Sequence, residues 1–303
     1  MGIGDAAAVL FYDSGDSSHN TTAPTGIYED AGWQYQGQYG SYLGTMIAPQ
    51  YFITAQHFGT QGGSFVHSGV FNGGANMSYT IDTAANGGIG YWDIAGTDLR
   101  VLRIQEYFPY YAPLYTGSSE AGKTLLVTGR GGVRGDDVMV SSVLHGWKHT
   151  GSDGVSRWGT NVVASAAGGY LTVDFDAAGS DHEATLSVGD SGGAVFIEDG
   201  GLWKLAGINY GIDGMFDTNN TPGDGSEFQA ALFDAGGLYY GGGSSWTLVQ
   251  DRPQDNPTSF YASRISSSAA TISSIASVPE PAGGLLLMCA ACICLTRRAR
   301  RGE

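Results

Sequence analysis

The stretch Gly189-Asp190-Ser191-Gly192-Gly193-Ala194-Val195-Phe196-Ile197 decides how this chain is read. Its second half is a short apolar run of strand length, and its first half flanks a lone serine with glycines. A serine that acts as a nucleophile must be displayed on a tight turn, with backbone N–H groups aimed at the oxygen that becomes negative. Glycine permits such a backbone and keeps the approach open. The strand that follows anchors the turn. Outward from this point, similar runs recur between Gly, Asn and Asp turns: Ala6–Tyr12, Thr45–Thr54, Leu99–Ile104, Thr124–Thr128, Leu171–Phe175 and Leu202–Tyr210. Strand-length runs with turn signals between them predict an all-β sandwich or barrel.

Composition agrees. Apolar residues are 42% and charged residues 14%, which excludes a disordered chain. Gly is 49 of 303 residues with no Gly-X-Y period, so collagen is excluded, and a helical bundle is disfavoured. The formal charge is −15, yet four of the 14 basic residues lie in the last seven positions. A body this acidic has no counter-charge for a phosphate backbone, so no nucleic-acid partner is expected.

A serine hydroxyl needs a base near neutral pH. Of His19, His57, His67, His145, His149 and His182, only His57 ends a buried-looking strand, Pro49-Gln50-Tyr51-Phe52-Ile53-Thr54-Ala55-Gln56-His57. Two carboxylates compete to hold its ring. Asp98 opens the alternating stretch Asp98-Leu99-Arg100-Val101-Leu102-Arg103-Ile104, and Asp93 lies in Tyr91-Trp92-Asp93-Ile94.

These three segments, in the order His, Asp, Ser, resemble the trypsin/chymotrypsin-like serine proteases. Gly44-Thr45-Met46-Ile47-Ala48-Pro49 through His57 is similar to the family's strand leading to its histidine. Asp98 through Ile104 is similar to its acid segment, a register that selects Asp98 over Asp93. Leu125-Leu126-Val127-Thr128-Gly129 resembles the start of its second barrel, and Phe260-Tyr261-Ala262-Ser263-Arg264-Ile265 the approach to its C-terminal helix. The chain order excludes the α/β-hydrolase and subtilisin arrangements. The resemblance implies two antiparallel β-barrels with a C-terminal helix, a serine endopeptidase acting on protein or peptide substrates without cofactor, and catalysis by His57, Asp98 and Ser191. It implies an oxyanion hole from the N–H groups of Gly189 and Ser191, loop support from Asp190, and substrate contacts from Thr185, Asn209, Tyr210 and Gly211. Departures accompany it. Phe58 stands where many relatives have a disulfide cysteine, and Gln56 replaces a usual small residue. Thr185, six residues before the serine, supplies no acid at the pocket base. No Ile-Val-Gly-Gly-like start is visible to give Asp190 an ammonium partner. A non-catalytic surface-associated binding protein on the same fold, or an esterase using the same triad, is the alternative.

The implied organisation is an N-terminal segment over 1–21, a first barrel over 22–115, a second over 116–276 with an insertion at about 212–258, and a tail over 277–303. Ile265, Ala269, Ile272 and Ala276 repeat at helical spacing, which predicts an amphipathic helix over 263–277 docking on the body. Within the insertion, Asp213, Asp217, Asn219, Asn220, Asp224 and Glu227 offer hard oxygen ligands of the kind Ca²⁺ takes. Their spacing matches no loop template, so an acidic solvated turn is expected and no metal is assigned. In the tail, Val278-Pro279-Glu280-Pro281 precedes an apolar run from Ala282 to Thr296 and then Arg297, Arg298, Arg300 and Arg301. A helix of that length spans roughly 22 Å, short of the ~30 Å hydrocarbon core. The order resembles the PEP-CTERM sorting tail of Gram-negative bacteria. It implies export to the periplasm, outer membrane or extracellular matrix, transient membrane insertion through the tail, and an exosortase-type sorting enzyme as partner. Cys289, Cys292 and Cys294 lie inside this run with no His or carboxylate to complete a zinc shell. Residues 1–20 lack the basic and apolar regions of a signal peptide, so a start upstream of Met1 is expected.

Overall fold

The structure is a computed structural model that describes residues 8–277. Two seven-stranded antiparallel sheets dominate it. The first runs in the spatial order Met77–Thr80, Ser64–His67, Gln36–Tyr39, Tyr42–Ala48, Tyr51–Ala55, Leu99–Arg103, Tyr91–Asp93. The second runs Arg157–Val162, Thr124–Gly129, Ala194–Glu198, Trp203–Ile212, Ser259–Arg264, Tyr170–Asp174, Ser165–Ala167. Each curls as a half-barrel, and an isolated Ile81–Ile104 bridge draws the first sheet's outer strand back across it. The architecture is the chymotrypsin-like one, two curled antiparallel sheets followed by a short C-terminal helix.

Side chains alternate across a strand, and this splits the apolar runs between two cores. Along Tyr51–Ala55, Phe52 enters the first sheet's own core with Met46, Phe65 and Leu102. Tyr51, Ile53 and Ala55 face the other way. Along Ala194–Glu198, Val195 and Ile197 join the second sheet's core with Val127, Leu171 and Phe260. Ala194 and Phe196 instead meet Ile53, Leu99 and Val101 in a third core between the sheets. Strands buried on both faces read as continuous apolar runs, which is why these segments stood out.

The C-terminal helix is shorter than its periodicity suggests. Residues 263 and 264 finish a strand, Ser266–Ser268 form a 3₁₀ turn, and the α-helix covers only Ala269–Ala276. Ile265 and Ile272 are buried in the inter-sheet core, so the docking expectation holds while the start moves towards the C-terminus. The chain beyond Ile212 builds a further three-stranded sheet from Met215–Asp217, Tyr239–Gly242 and Ser245–Leu248. It also sends Ala230–Leu232 to pair with Val143–Ser152. The tail from Val278 onward, where a short apolar helix and a sorting motif are expected, lies outside the described residues. Among the described residues no helix is long and apolar enough to cross a membrane.

Candidate active site

Strand register brings the first two groups together. Tyr51–Ala55 pairs antiparallel with Leu99–Arg103, Ala55 opposite Leu99. His57 lies just past the end of one strand and Asp98 just before the start of the other. Asp98 Oδ1 accepts the His57 backbone N–H at 2.8 Å, and Oδ2 lies 2.7 Å from His57 Nδ1. On the far side of the ring, Nε2 is 2.8 Å from Ser191 Oγ. Asp98 is only 8% exposed, whereas the imidazole opens to solvent. A dry carboxylate anchored to the backbone thus holds a wet ring in one orientation.

Asp93 has other work. It takes a bidentate pair from the buried Arg100 guanidinium at 2.6 and 2.9 Å and a hydrogen bond from the Gln56 side chain at 3.1 Å. Gln56 therefore points away from the row. Phe58 stacks on Tyr42 at 4.1 Å between ring centroids, so an aromatic contact supports the histidine loop where relatives use a disulfide.

The serine loop depends on its glycines. Gly189 and Gly192 have φ of +96° and +79°, values that disfavour any side chain. A Cβ at Gly192 would also strike the Leu43 carbonyl and the Thr54 hydroxyl of the first sheet. The loop is tied down by Gly192 N–H to the Asn209 carbonyl at 3.1 Å and Asn209 N–H to the Gly193 carbonyl at 2.8 Å. Among the described residues, the N–H groups of Gly189 and Ser191 donate to nothing.

Asp190 is 2% exposed and turns away from the cleft. Its carboxylate accepts N–H groups from Gly131 at 2.6 Å, Ser187 at 2.8 Å and Val9 at 3.4 Å, and the Ser187 hydroxyl at 2.9 Å. No basic side chain pairs with it among the described residues. Burial pushes its carboxyl upward, and these donors oppose the shift. The Val9 contact depends on the N-terminal strand Leu10–Phe11, which pairs with Ala184–Thr185. Val9 itself has a φ of +58°, unusual for a β-branched residue.

Beside the serine is a cavity of about 170 Å³ lined by residues 186–191 and 209–212. Thr185, expected at its base, is not among the lining residues. It is buried under the N-terminal strand, opposite Leu10, and Leu186, Ser187 and Val188 form that wall instead. Asn209 borders the cavity but is nearly fully buried, and its amide donates to the carbonyls of Thr128 at 2.7 Å and Asp190 at 3.0 Å. It braces the serine loop. Tyr210 is a bulged residue whose ring lies 6.0 Å from that of His57. Pairing of this strand with Ala194–Glu198 ends at Ile208, which leaves the edge at Tyr210–Ile212 open towards the cavity. Sequence reading missed Gln36, whose buried amide spans from Thr45 in the first sheet to Thr128 in the second. A glutamine in a Gly-rich strand carries no signal of that bridge.

Fold and site together define a chymotrypsin-like protein with an Asp–His–Ser row at the junction of its sheets. The Trypsin family model matches residues 24–231, more than half of the chain and all three members of the row, and the protein belongs to that family. Among solved structures it is similar to neuropsin, a serine protease expressed in the limbic system of mouse brain. That match has 13% identity and a TM-score of 0.46, and covers 81% of this chain and 95% of the other. No curated protein matches the chain.

Proposed function

We propose that this protein is an exported serine endopeptidase that hydrolyses peptide bonds through an acyl-enzyme. The observation that carries the proposal is the continuous row from Asp98 through His57 to Ser191, with links of 2.7 and 2.8 Å. In it, Ser191 Oγ attacks the scissile carbonyl while His57 Nε2 takes its proton, and His57 then returns that proton to the leaving amine. Asp98 holds the tautomer that keeps Nε2 free to accept and stabilises the imidazolium. The N–H groups of Gly189 and Ser191 receive the oxyanion. Water deacylates the serine by the same route.

The open edge at Tyr210–Ile212 suits an extended substrate backbone added as a strand. Among the described residues that line the cavity beside it, Asp190 alone carries a charge, and its carboxylate turns away to its own donors, so uncharged P1 side chains are favoured. Export, and removal of the tail by an exosortase-type enzyme, rest on the residue order of the tail alone. The binding-protein alternative draws on the lack of an ammonium partner for Asp190, and the four neutral donors around that carboxylate support the catalytic reading instead.

A fluorophosphonate probe tests the reading. It is expected to label Ser191 in the folded protein, and Ser191→Ala should lose labelling together with several powers of ten in peptide hydrolysis, leaving at most the ~10³–10⁴ over water that binding and an oxyanion hole supply. Hydrolysis that survives this substitution would overturn the assignment. Parallel amide and ester substrates rank peptidase against esterase.

A further inference from the structure

The segment that leaves the pocket wall at Ile212 carries five carboxylates and no basic residue between Asp213 and Gln250. Its loop from Asp217 to Glu227 is pinned at the base, where Phe216 and Phe228 exchange N–H···O bonds of 2.8 and 2.9 Å. Asp217, Asp224 and Glu227 each present a carboxylate oxygen, and these oxygens all lie within 4.8 Å of one another. Crowded acids on an exposed turn are ordinary. Asp217 is different because it is completely buried.

Its Oδ1 accepts the Asn219 N–H at 3.1 Å and lies 2.6 Å from the Ser226 hydroxyl. Its Oδ2 is buried with no donor among the described residues. The Ser226 hydroxyl also lies 2.5 Å from Asp224 Oδ1, and one hydroxyl proton cannot serve both carboxylates. Glu227 is turned to the same loop by the N–H groups of Gly223 and Gly225. The ammonium of Lys148 sits over the Phe228 ring, 4.5 Å from its centroid, and pairs with none of the three acids among the described residues. A buried carboxylate with one oxygen lacking a donor, on a side chain that comes within 4.8 Å of two further carboxylates, is stabilised by a bound positive charge.

We propose that Asp217, Asp224 and Glu227 hold one Ca²⁺ ion, with neutral loop oxygens and water completing its shell. At Ca–O distances of 2.3–2.6 Å, two oxygens on opposite sides of one ion stand about 4.6–5.2 Å apart, the scale of this cluster. Mg²⁺, with bonds of about 2.0–2.1 Å and a rigid octahedron, fits less well, and zinc favours nitrogen and sulfur. Phe216 and Phe228, at the loop's base, pack with Leu232 and Leu238 of the insertion and with Val138 outside it. The ion therefore fastens the insertion beside the substrate cavity.

The test uses the full chain with Ser191→Ala, so that self-digestion is blocked and the readout does not depend on the proposed chemistry. Calorimetric titration of chelator-stripped protein with CaCl₂ is expected to show one ion per chain, with a Kd of about 10⁻⁴–10⁻³ M, the range of extracellular modules. The thermal midpoint should rise by several degrees in millimolar Ca²⁺ and fall back with chelator. Asp217→Asn and Glu227→Gln should each weaken binding at least tenfold. Glu227 is partly exposed, so its variant tests the site even if the buried substitution fails to fold. The absence of saturable heat and of a midpoint shift up to about 10 mM Ca²⁺ (10–100 times that Kd), or binding that Glu227→Gln leaves intact, overturns the proposal.

Discussion

Asp98 and Asp190 are both buried carboxylates at the junction of the two sheets, and the protein treats them in opposite ways. Asp98 uses one oxygen on a backbone N–H and leaves the other for an imidazole that reaches solvent. Asp190 is wrapped by four neutral donors, two from the neighbouring Ser187 and one each from the distant Gly131 and Val9. A carboxylate that orients a moving proton must keep an oxygen for a partner whose charge changes. A carboxylate that shapes a loop can spend all its lone pairs on fixed donors. Burial alone does not tell the two roles apart.

The largest test of this contrast is Asp98→Asn. The amide can keep the backbone contact but cannot hold the same tautomer, and kcat should fall by about 10⁴ with an unchanged thermal midpoint. Restoration of Nε2 basicity by some other group, seen as near-parent kcat, would break the comparison. Asp190→Asn places an NH₂ against N–H donors. It should lower the thermal midpoint and, by disturbing the serine loop, reduce kcat by roughly 10², the scale of losing an oxyanion donor. Asp93→Asn sharpens the distinction from the other side. It strips the buried Arg100 of a charged partner, so denaturant unfolding should show a loss of about 1–3 kcal/mol while kcat stays near the parent value.

A last effect concerns pH. Burial raises the Glu183 carboxyl from 4.5 to about 7, against hydrogen bonds from Ser180 and Asp176. A raised folded value means that its stabilisation is complete below about 4.5 and lost as pH climbs through 7. His67 and His149 run the other way, since burial lowers both to about 4. Their contribution is complete above 6.5 and lost as pH falls through 4. Thermal midpoints measured across this range should therefore shift in favour of Glu183→Gln, relative to the parent, between pH 4.5 and 7, and then level off. A constant difference would place the titration elsewhere.

Much of the fold and site was legible before any coordinates. The runs Thr45–Thr54, Leu99–Ile104 and Ala194–Ile197 read as strands because both of their faces are buried, although the first spans parts of two strands, Tyr42–Ala48 and Tyr51–Ala55, and His57, Asp98 and Ser191 lie close to the runs' ends. Glycines around Ser191 signalled a turn because only they tolerate its backbone at 189 and 192. The helix start was misplaced because Ile265 packs into the core from the end of a strand, and helical spacing alone cannot see that.

Local pattern thus determined the strands and the serine turn, while the family resemblance selected Asp98 over Asp93 as the partner of the histidine. Tertiary structure decided the rest: Val9 and Gly131 closing on Asp190, Thr185 displaced from the pocket, Gln36 spanning the sheets, and three acids of one loop brought within reach of a single ion. The physical reason is that a backbone N–H is the same at every residue, so no side chain advertises where it will be donated. Proximity between side chains and backbone groups that are not sequence neighbours appears only once the chain has packed.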